Sequence, residues 1–264
     1  MSIRPAPTPD LVPRQEALLR LVGERGFGTV ENLARHFGVS TQTIRRDIIA
    51  LTDRGLLQRF HGGAGPAGAV RLGHAEKVAR QRDAKAQIAA LVLREIPPGA
   101  AIFLDVGTTA DAVAAALAGR QDLSIFTNNI VAALQLAGAA GPRVRILGGV
   151  LRGSDGSLVG GETVRELGRF ALDLAVIACS GFDARGAPMD FDGEKIAVKR
   201  AAIAAARRSL LIADASKFGR QALERIAPLD AFAALVADMP PEGALLAQFG
   251  HLDVAIIAGS IAAA

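Results

Sequence analysis

Ser40, Thr41, Gln42, Thr43, Arg45 and Arg46 stand almost side by side in the chain and together offer what a protein needs to read a DNA groove. Glutamine and threonine hydrogen-bond base edges, and arginine reads guanine or clamps phosphate. Ser40 is a natural N-cap for a helix that carries Ile44, Ile48 and Leu51 on one face at i, i+4 and i+7. That face must bury, which leaves Gln42, Thr43, Arg45 and Arg46 on or near the open side. Further on, the strand-like run LLQRF ends at His61-Gly62-Gly63 and brings Arg59 with it. These four residues are candidates for contact with phosphate or the minor groove.

A second group of polar residues sits where apolar runs stop. Asp105-Val106-Gly107-Thr108-Thr109 ends one run and opens an Ala-rich helix, and Thr127-Asn128-Asn129 repeats the device at the next. Glycine lets a backbone approach a ligand, and hydroxyls beside helix N-terminal amides favour anions. Gly148-Gly149 follows a third run with Arg152 just behind it, and Asp214 to Lys217 follows another. Each loop alone is as compatible with an ordinary cap or turn. Lys217 reads as the one cation of the loop set. Proton transfer on a bound ligand would need a base, and Asp105, Asp183, Glu194 and Asp214 are the carboxylates at these ends. None is paired with a histidine, since His36, His61, His74 and His251 all lie elsewhere. Asp105 and Asp183 are therefore expected to anchor their own loops, and Asp214 to orient Lys217 or a ligand hydroxyl.

The elements that must position these residues follow from the pattern. Residues 14–25 carry Ala17, Leu18, Leu21 and Val22 on one helical face. Leu33, Ala34 and Phe37 mark a second helix, stopped by Gly38-Val39, and the capped helix from Ser40 is the third. Helix, tight turn and polar helix describe a helix-turn-helix, and LLQRF-HGG a small wing beside it. Charge alone does not separate this from a helical hairpin with a solvated basic face: residues 1–65 hold nine Arg against six acidic residues. The order of cap, Gln/Thr, paired Arg and Gly-rich basic ribbon favours DNA.

From residue 100 the runs AIFLDV, LSIFT, RVRIL, LAVIACS, SLLIAD, AALVAD and DVAII alternate with helical stretches such as GEKIAVKRAAIAAARR. That alternation predicts an α/β domain whose mostly parallel sheet has helices on both faces, with ligands at the carboxyl ends of its strands. The expected organisation is a disordered N-terminus (1–12), a winged helix-turn-helix (13–64), a linker and connecting helix (65–87) and an effector-sensing α/β domain (88–258). The runs Lys199, Arg200, Arg207, Arg208 and Arg80, Arg82, Lys85 read as solvated helix faces.

The chain has 264 residues and a formal charge of +4, which permits nucleic-acid binding without requiring it. Its one cysteine, Cys179, excludes an internal disulfide framework and has no Cys or His spacing for a metal. No cofactor or metal is expected. The Pro-rich start lacks the apolar segment of a signal peptide, and no apolar run is long enough to span a bilayer, so the expected location is the cytoplasm, at the nucleoid.

STQTIRRDIIAL followed by RFHGGA resembles the DNA-binding signature of the DeoR family of bacterial transcription regulators. DVGTT, FTNN, LGG, CSGFD and DASKFGR resemble the successive motifs of that family's C-terminal sensor domain, itself similar to sugar-phosphate isomerases. The resemblance runs from Arg14 to about Asp238. It implies a repressor released from operator DNA by a phosphorylated sugar or polyol. Gly107, Thr108, Thr109, Thr127, Asn128 and Asn129 would then cradle phosphate and hydroxyls, with Asp214 and Lys217 at the mouth. Asp105, Gly148, Gly149, Arg152 and Glu194 complete the candidate effector set. The family also carries an Arg and a Lys at the positions of Arg80 and Lys85, so either could carry a signal between domains. GGVLRGSDGSLVGGET and MDFDGEKIAVKRAAI resemble the branch that responds to sn-glycerol-3-phosphate, although Gly193 stands where that branch leads one to expect an aromatic side chain. The alternatives are another sugar-phosphate pathway, or an isomerase-like enzyme with a DNA-binding head. One winged unit reads too few base pairs for genomic specificity, so a homodimer or homotetramer on repeated half-sites is expected.

Overall fold

The computed structural model describes residues 11–25, 28–60, 63–66, 81–137, 141–153 and 155–259. His61, Gly62, Arg80 and the first ten residues, on which some of the expectations above rest, lie outside the described residues. The chain divides into two compact units, one up to Arg71 and one from Leu72 onward.

In the first unit, α1 (Pro13–Arg25), α2 (Val30–Phe37) and α3 (Thr41–Asp53) pack with a three-stranded antiparallel sheet. Its strands are β1 (Gly28–Thr29), β2 (Leu57–Phe60) and β3 (Gly63–Pro66), in the order β1-β3-β2. Leu18 and Val22 from α1, Leu33 and Ala34 from α2, and Ile44, Ile48 and Leu51 from α3 form its core. The residues expected on buried helical faces thus meet, and the β2–β3 hairpin is the wing.

The second unit is built on seven strands: β4 (Ala101–Leu104), β5 (Ser124–Thr127), β6 (Arg143–Ile146), β9 (Leu172–Ala178), β12 (Ala206–Ile212), β14 (Ala234–Ala237) and β15 (Ala255–Ala258). They form one sheet in the order β15-β14-β12-β9-β4-β5-β6, every pair parallel. Each of the seven apolar runs supplies one strand. The inner strands β9, β4, β12 and β14, largely buried on both faces, read as nearly continuous apolar stretches, whereas the edge strands β6 and β15 are more exposed. One face packs on α4 (Arg82–Glu95), α5 (Thr108–Leu117) and α6 (Ile130–Ala137), through Ile88, Val92, Val113, Leu117 and Leu136. The other packs on α7 (Gly161–Leu167), α8 (Gly193–Ala205) and α9 (Gly243–His251), through Leu167, Ile196, Ala202 and Phe249. Alternation along β9 serves both: Leu174 and Val176 face one layer, Ala175 and Ile177 the other.

Small antiparallel pieces are added at the carboxyl edge. One is the hairpin of β7 (Val150–Arg152) and β8 (Ser157–Val159); the other joins β10 (Gly181–Phe182), β11 (Pro188–Asp190) and β13 (Glu224–Arg225). Two expectations need correction here. Arg207 and Arg208 are in β12 and not on a helix, because α8 already ends at Ala205 and the strand needs its full length to pair with β9 from Leu172 onward. The connecting helix is packed before Ile88, since Lys85 is already buried.

Candidate functional site

The polar face of α3 is built by its cap and its core. Ser40 Oγ accepts from Thr43 N at 3.1 Å and shares a hydrogen bond with Thr43 Oγ1 at 2.8 Å. Thr43 is thereby part of the cap, so its hydroxyl, expected at base edges, is engaged within the helix. Burial of Ile44, Asp47, Ile48 and Leu51 turns Gln42, Arg45 and Arg46 outward, all three exposed. Ile49 continues that stripe at i+7 from Gln42 and is 42 % exposed. Sequence reading passed over Ile49, although the same spacing marks it, and an aliphatic side chain here suits a thymine methyl. Asp47 was also passed over. It is buried and accepts from Arg14 Nε at 2.6 Å and Gln15 Nε2 at 3.1 Å, which fixes α3 against α1. Arg59 is exposed on β2, whereas Gly63 is buried at the start of β3.

In the second unit the strand order dictates where to look. From β4 the chain steps outward through β5 and β6, returns beside β4 as β9, and then proceeds the other way through β12, β14 and β15. The order reverses between β4 and β9, and in open parallel sheets ligands bind in the crevice at such a point. Asp105, just past β4, is 1 % exposed and accepts from Ala178 N, at the end of β9, at 2.9 Å. Lys199 from α8 closes the gap: it ion-pairs with Asp105, donates to Ala178 O at 2.9 Å and lies 3.4 Å from Asp190. Burial works against the Lys199 ammonium, but Asp105 and Asp190 more than offset it and hold its pKa above the ordinary lysine value. This corrects the solvated reading of Lys199. Arg200, its neighbour, does lie at the surface, with Glu224 and the carbonyls of Arg225 and Ile226 as partners.

Above this buried pair, Gly107 is the N-cap of α5 and offers no side-chain cap to its first N–H groups. Its φ of +112° suits glycine, and the space a Cβ would take is open. Thr108 and Thr109 follow at the positive end of the helix. Lys85 enters from α4, 5 % exposed. Burial, aided by Lys217, pushes its pKa below the ordinary lysine value against the pull of Asp214 and Asp111. Lys85, the first turn of α5 and the Asp214–Lys217 loop therefore share one neighbourhood. Lys217 Nζ lies 3.8 Å from Asp214 Oδ2. The expectation of a single cation is corrected: Lys85, Lys195, Lys199 and Arg152 also stand at this edge, the first three buried.

Several candidate residues turn out to be committed to the scaffold. Thr127 Oγ1 donates to Leu104 O at 2.7 Å and accepts from Asn129 N at 3.0 Å. Asn129 donates to Asp111 Oδ1 at 2.7 Å and caps α6 by accepting from Ala132 N at 3.1 Å. Asn128 donates to Leu158 O at 2.8 Å, while its Oδ1 is buried without a partner among the described residues. Gly148 donates to Glu166 and accepts from Thr163. A Cβ on Gly149 would lie 2.3 Å from Thr163 Oγ1 and 2.7 Å from Val159 O, so this glycine serves the packing of β7 and β8. Arg152 Nε bonds Asp192 Oδ2 at 2.6 Å, and Lys195 pairs with Asp155, so two ion pairs tie the β7–β8 hairpin to α8. Burial opposes the Asp192 carboxylate, yet Arg152 holds its pKa below the usual range.

The carboxylates that a reaction would draw on are likewise held. Asp183 accepts from Arg185 N at 2.8 Å and Ala187 N at 2.9 Å and pairs with Arg225, and Asp214 caps Ser216 N at 3.1 Å. Glu194 is exposed in the first turn of α8. Burial pushes the Cys179 thiol up to about 12, which leaves it unreactive. No group of three or more His, Cys, Asp or Glu able to hold a metal occurs among the described residues. No helix among them is long and apolar enough to cross a membrane.

Comparison with known proteins agrees with both units. Residues 14–67 match the DeoR-like helix-turn-helix domain and residues 80–239 the DeoR C-terminal sensor domain. The glycerol-3-phosphate regulon repressor of Escherichia coli K12 is 38 % identical over 229 residues, covering 86 % of this chain and 91 % of that protein. The protein of the same name from Haemophilus influenzae is 39 % identical over 231 residues, covering 87 % and 90 %. The HTH-type transcriptional repressor CsqR of Escherichia coli K12 is 35 % identical over 246 residues, covering 93 % and 94 %. Among solved structures, ribose 5-phosphate isomerase A from Methanocaldococcus jannaschii aligns over 53 % of this chain and 56 % of that one, at 14 % identity and a TM-score of 0.40. The chain belongs to the DeoR family of helix-turn-helix regulators, with the family's DNA-binding domain followed by its sensor domain.

Proposed function

We propose that this protein represses transcription by holding operator DNA with α3 and the wing, and lets go when sn-glycerol-3-phosphate occupies the crevice between β4 and β9. The observation that carries the reading is the pairing of two features in one chain. A capped helix presents Gln42, Arg45, Arg46 and Ile49 outward, and a sheet switch point gathers cations beside an uncapped helix start. Relatives named for the glycerol-3-phosphate regulon support this choice of ligand. It is a regulator and not an enzyme, as its relatives are repressors.

Phosphate would sit against the amides of Gly107, Thr108 and Thr109, with Lys85 and Lys217 supplying charge. The orphaned Asn128 Oδ1 would accept a ligand hydroxyl, which satisfies a buried acceptor that otherwise costs stability. Thr127, Asn129, Gly148, Gly149 and Arg152 act one step back, by shaping the loops. Asp105, with Lys199, fixes the spacing of β4 and β9 under the ligand. Lys85 lies one turn inside the helix by which the chain enters the sensor unit, so it is placed to pass occupancy toward the linker. Operator recognition needs two or four chains on repeated half-sites, and the protein would work in the cytoplasm.

A thermal-shift screen across phosphorylated sugars and polyols tests the ligand assignment, since binding to the native state raises its melting point by mass action. Stabilisation by sn-glycerol-3-phosphate, reduced in Lys217→Ala, is expected. A response only to another sugar phosphate overturns the assignment while leaving the sensor reading intact.

A further inference from the structure

Ile49 stands apart from the other apolar side chains of the first unit. Among the described residues of that unit, only Val12 and Ile49 are large, apolar and exposed. Ile49 takes no part in the core that Ile44, Ile48 and Leu51 build from the same helix. Helix propensity does not call for it either, since β-branched residues are weaker helix formers than alanine, lysine or glutamate. Its place on α3 is the informative part. Gln42, Arg45, Arg46 and Ile49 follow at i, i+3, i+4 and i+7, so they form one stripe along two turns, and all four are exposed. Asp53, one turn further on, is also exposed and carries the sign of charge that phosphate carries, so the part of the stripe suited to DNA ends at Ile49.

We propose that Ile49 is a specificity-determining residue for the operator, its side chain packing on the C5-methyl group of one thymine per half-site in the major groove. The proposal rests on the assignment of α3 as the recognition helix. Arg45 and Arg46 make DNA the occupant of this stripe in preference to an apolar protein surface, which would strip water from both guanidinium groups without pairing them. Of the base edges in that groove, thymine alone presents an apolar group. Every other feature is a donor or an acceptor, which an isoleucine cannot use.

The helix geometry also sets where that thymine lies. Ile49 follows Gln42 by two turns, a rise of about 10.5 Å, and successive base pairs are about 3.4 Å apart. The thymine should therefore stand about three base pairs from the pair that Gln42 reads. Glutamine pairs best with adenine, so each half-site should carry an adenine and a thymine at that separation.

Selection from random duplexes by the full wild-type chain supplies the operator for the test. Each of its thymines is then replaced in turn by deoxyuridine, which lacks only the methyl group, and affinity is read from gel-shift titrations at fixed salt. One thymine in each half-site should lose about 4-fold on replacement, the worth of one buried methyl group. Ile49→Ala should bind the thymine and uracil duplexes equally at that position, with an unchanged melting curve because the residue is exposed. Ile49→Val should keep the preference. Selection repeated with Gln42→Ala should lose its base preference about three base pairs away. If every thymine tolerates uracil, or if Ile49→Ala discriminates as the wild type does, this proposal is overturned while the recognition helix stands. Failure of the wild type to select any duplex overturns the helix assignment and the proposal with it.

Discussion

Lys199→Met keeps the length and apolar stem of the side chain and deletes only its charge. Asp105 at 1 % exposure would then face Asp190 with no cation between them, and Ala178 O would lose its donor. Breaking a buried ion pair from one side costs about 3–5 kcal/mol, because the charge left behind has no solvent. The stability of a domain is about 5–15 kcal/mol, so the loss takes a large fraction of it. With a urea dependence of about 1–3 kcal/mol per molar, the midpoint of the sensor unit should fall by about 1 M or more. The assay is urea unfolding of the full chain followed by far-ultraviolet circular dichroism. Adding Asp105→Asn should recover at least half of the loss, since the stranded charge is removed while Ala178 N keeps an acceptor. A single-variant shift below about 0.3 M, or no recovery in the double variant, would refute the claim that this pair holds β4 to β9.

Other outcomes follow from the same geometry. Arg45→Ala should weaken operator binding by about 1–3 kcal/mol, or about 5- to 150-fold, with an unchanged melting curve; unaltered affinity in a gel-shift titration would remove Arg45 from the interface. Lys217→Ala should bind DNA as tightly as the wild type yet resist release by sn-glycerol-3-phosphate, and a variant released at the wild-type concentration would show the ligand site to be misplaced. The Asp192 carboxylate is held low by Arg152, so its contribution to stability is complete above the ordinary carboxylate pKa and is lost as the pH falls through and below it. Urea midpoints measured from about pH 6 down to about pH 3 should therefore fall less steeply in Arg152→Ala than in the wild type.

The seven strands and the helix-turn-helix were legible because their signals are local. A buried parallel strand is an apolar run, and a capped helix announces itself by Ser40 and the spacing of Ile44, Ile48 and Leu51. The charged groups of the sensor unit were not legible. Lys85 and Lys199 occupy helix positions that sequence reads as solvated, and only the sheet order brings Asp105 and Asp190 to Lys199 across 94 and nine residues of chain. For the same reason Thr127, Asn129 and Gly149 looked like ligand contacts. Their partners Leu104, Asp111 and Val159 are set by tertiary packing, and a polar loop residue that caps a helix looks the same in sequence as one that binds phosphate. The β7–β8 hairpin escaped notice because three-residue strands leave too short a pattern.

The claim at the centre of this account is that one chain couples an operator-reading helix to a phosphate-sensing crevice. Fluorescence anisotropy of a labelled operator, selected in vitro by the protein itself, tests it directly when sn-glycerol-3-phosphate is titrated at fixed salt. Saturating ligand should weaken DNA binding about 5- to 150-fold, and operator DNA should weaken ligand binding by the same factor, as linkage requires. Ligand binding that leaves the anisotropy curve unmoved would contradict it.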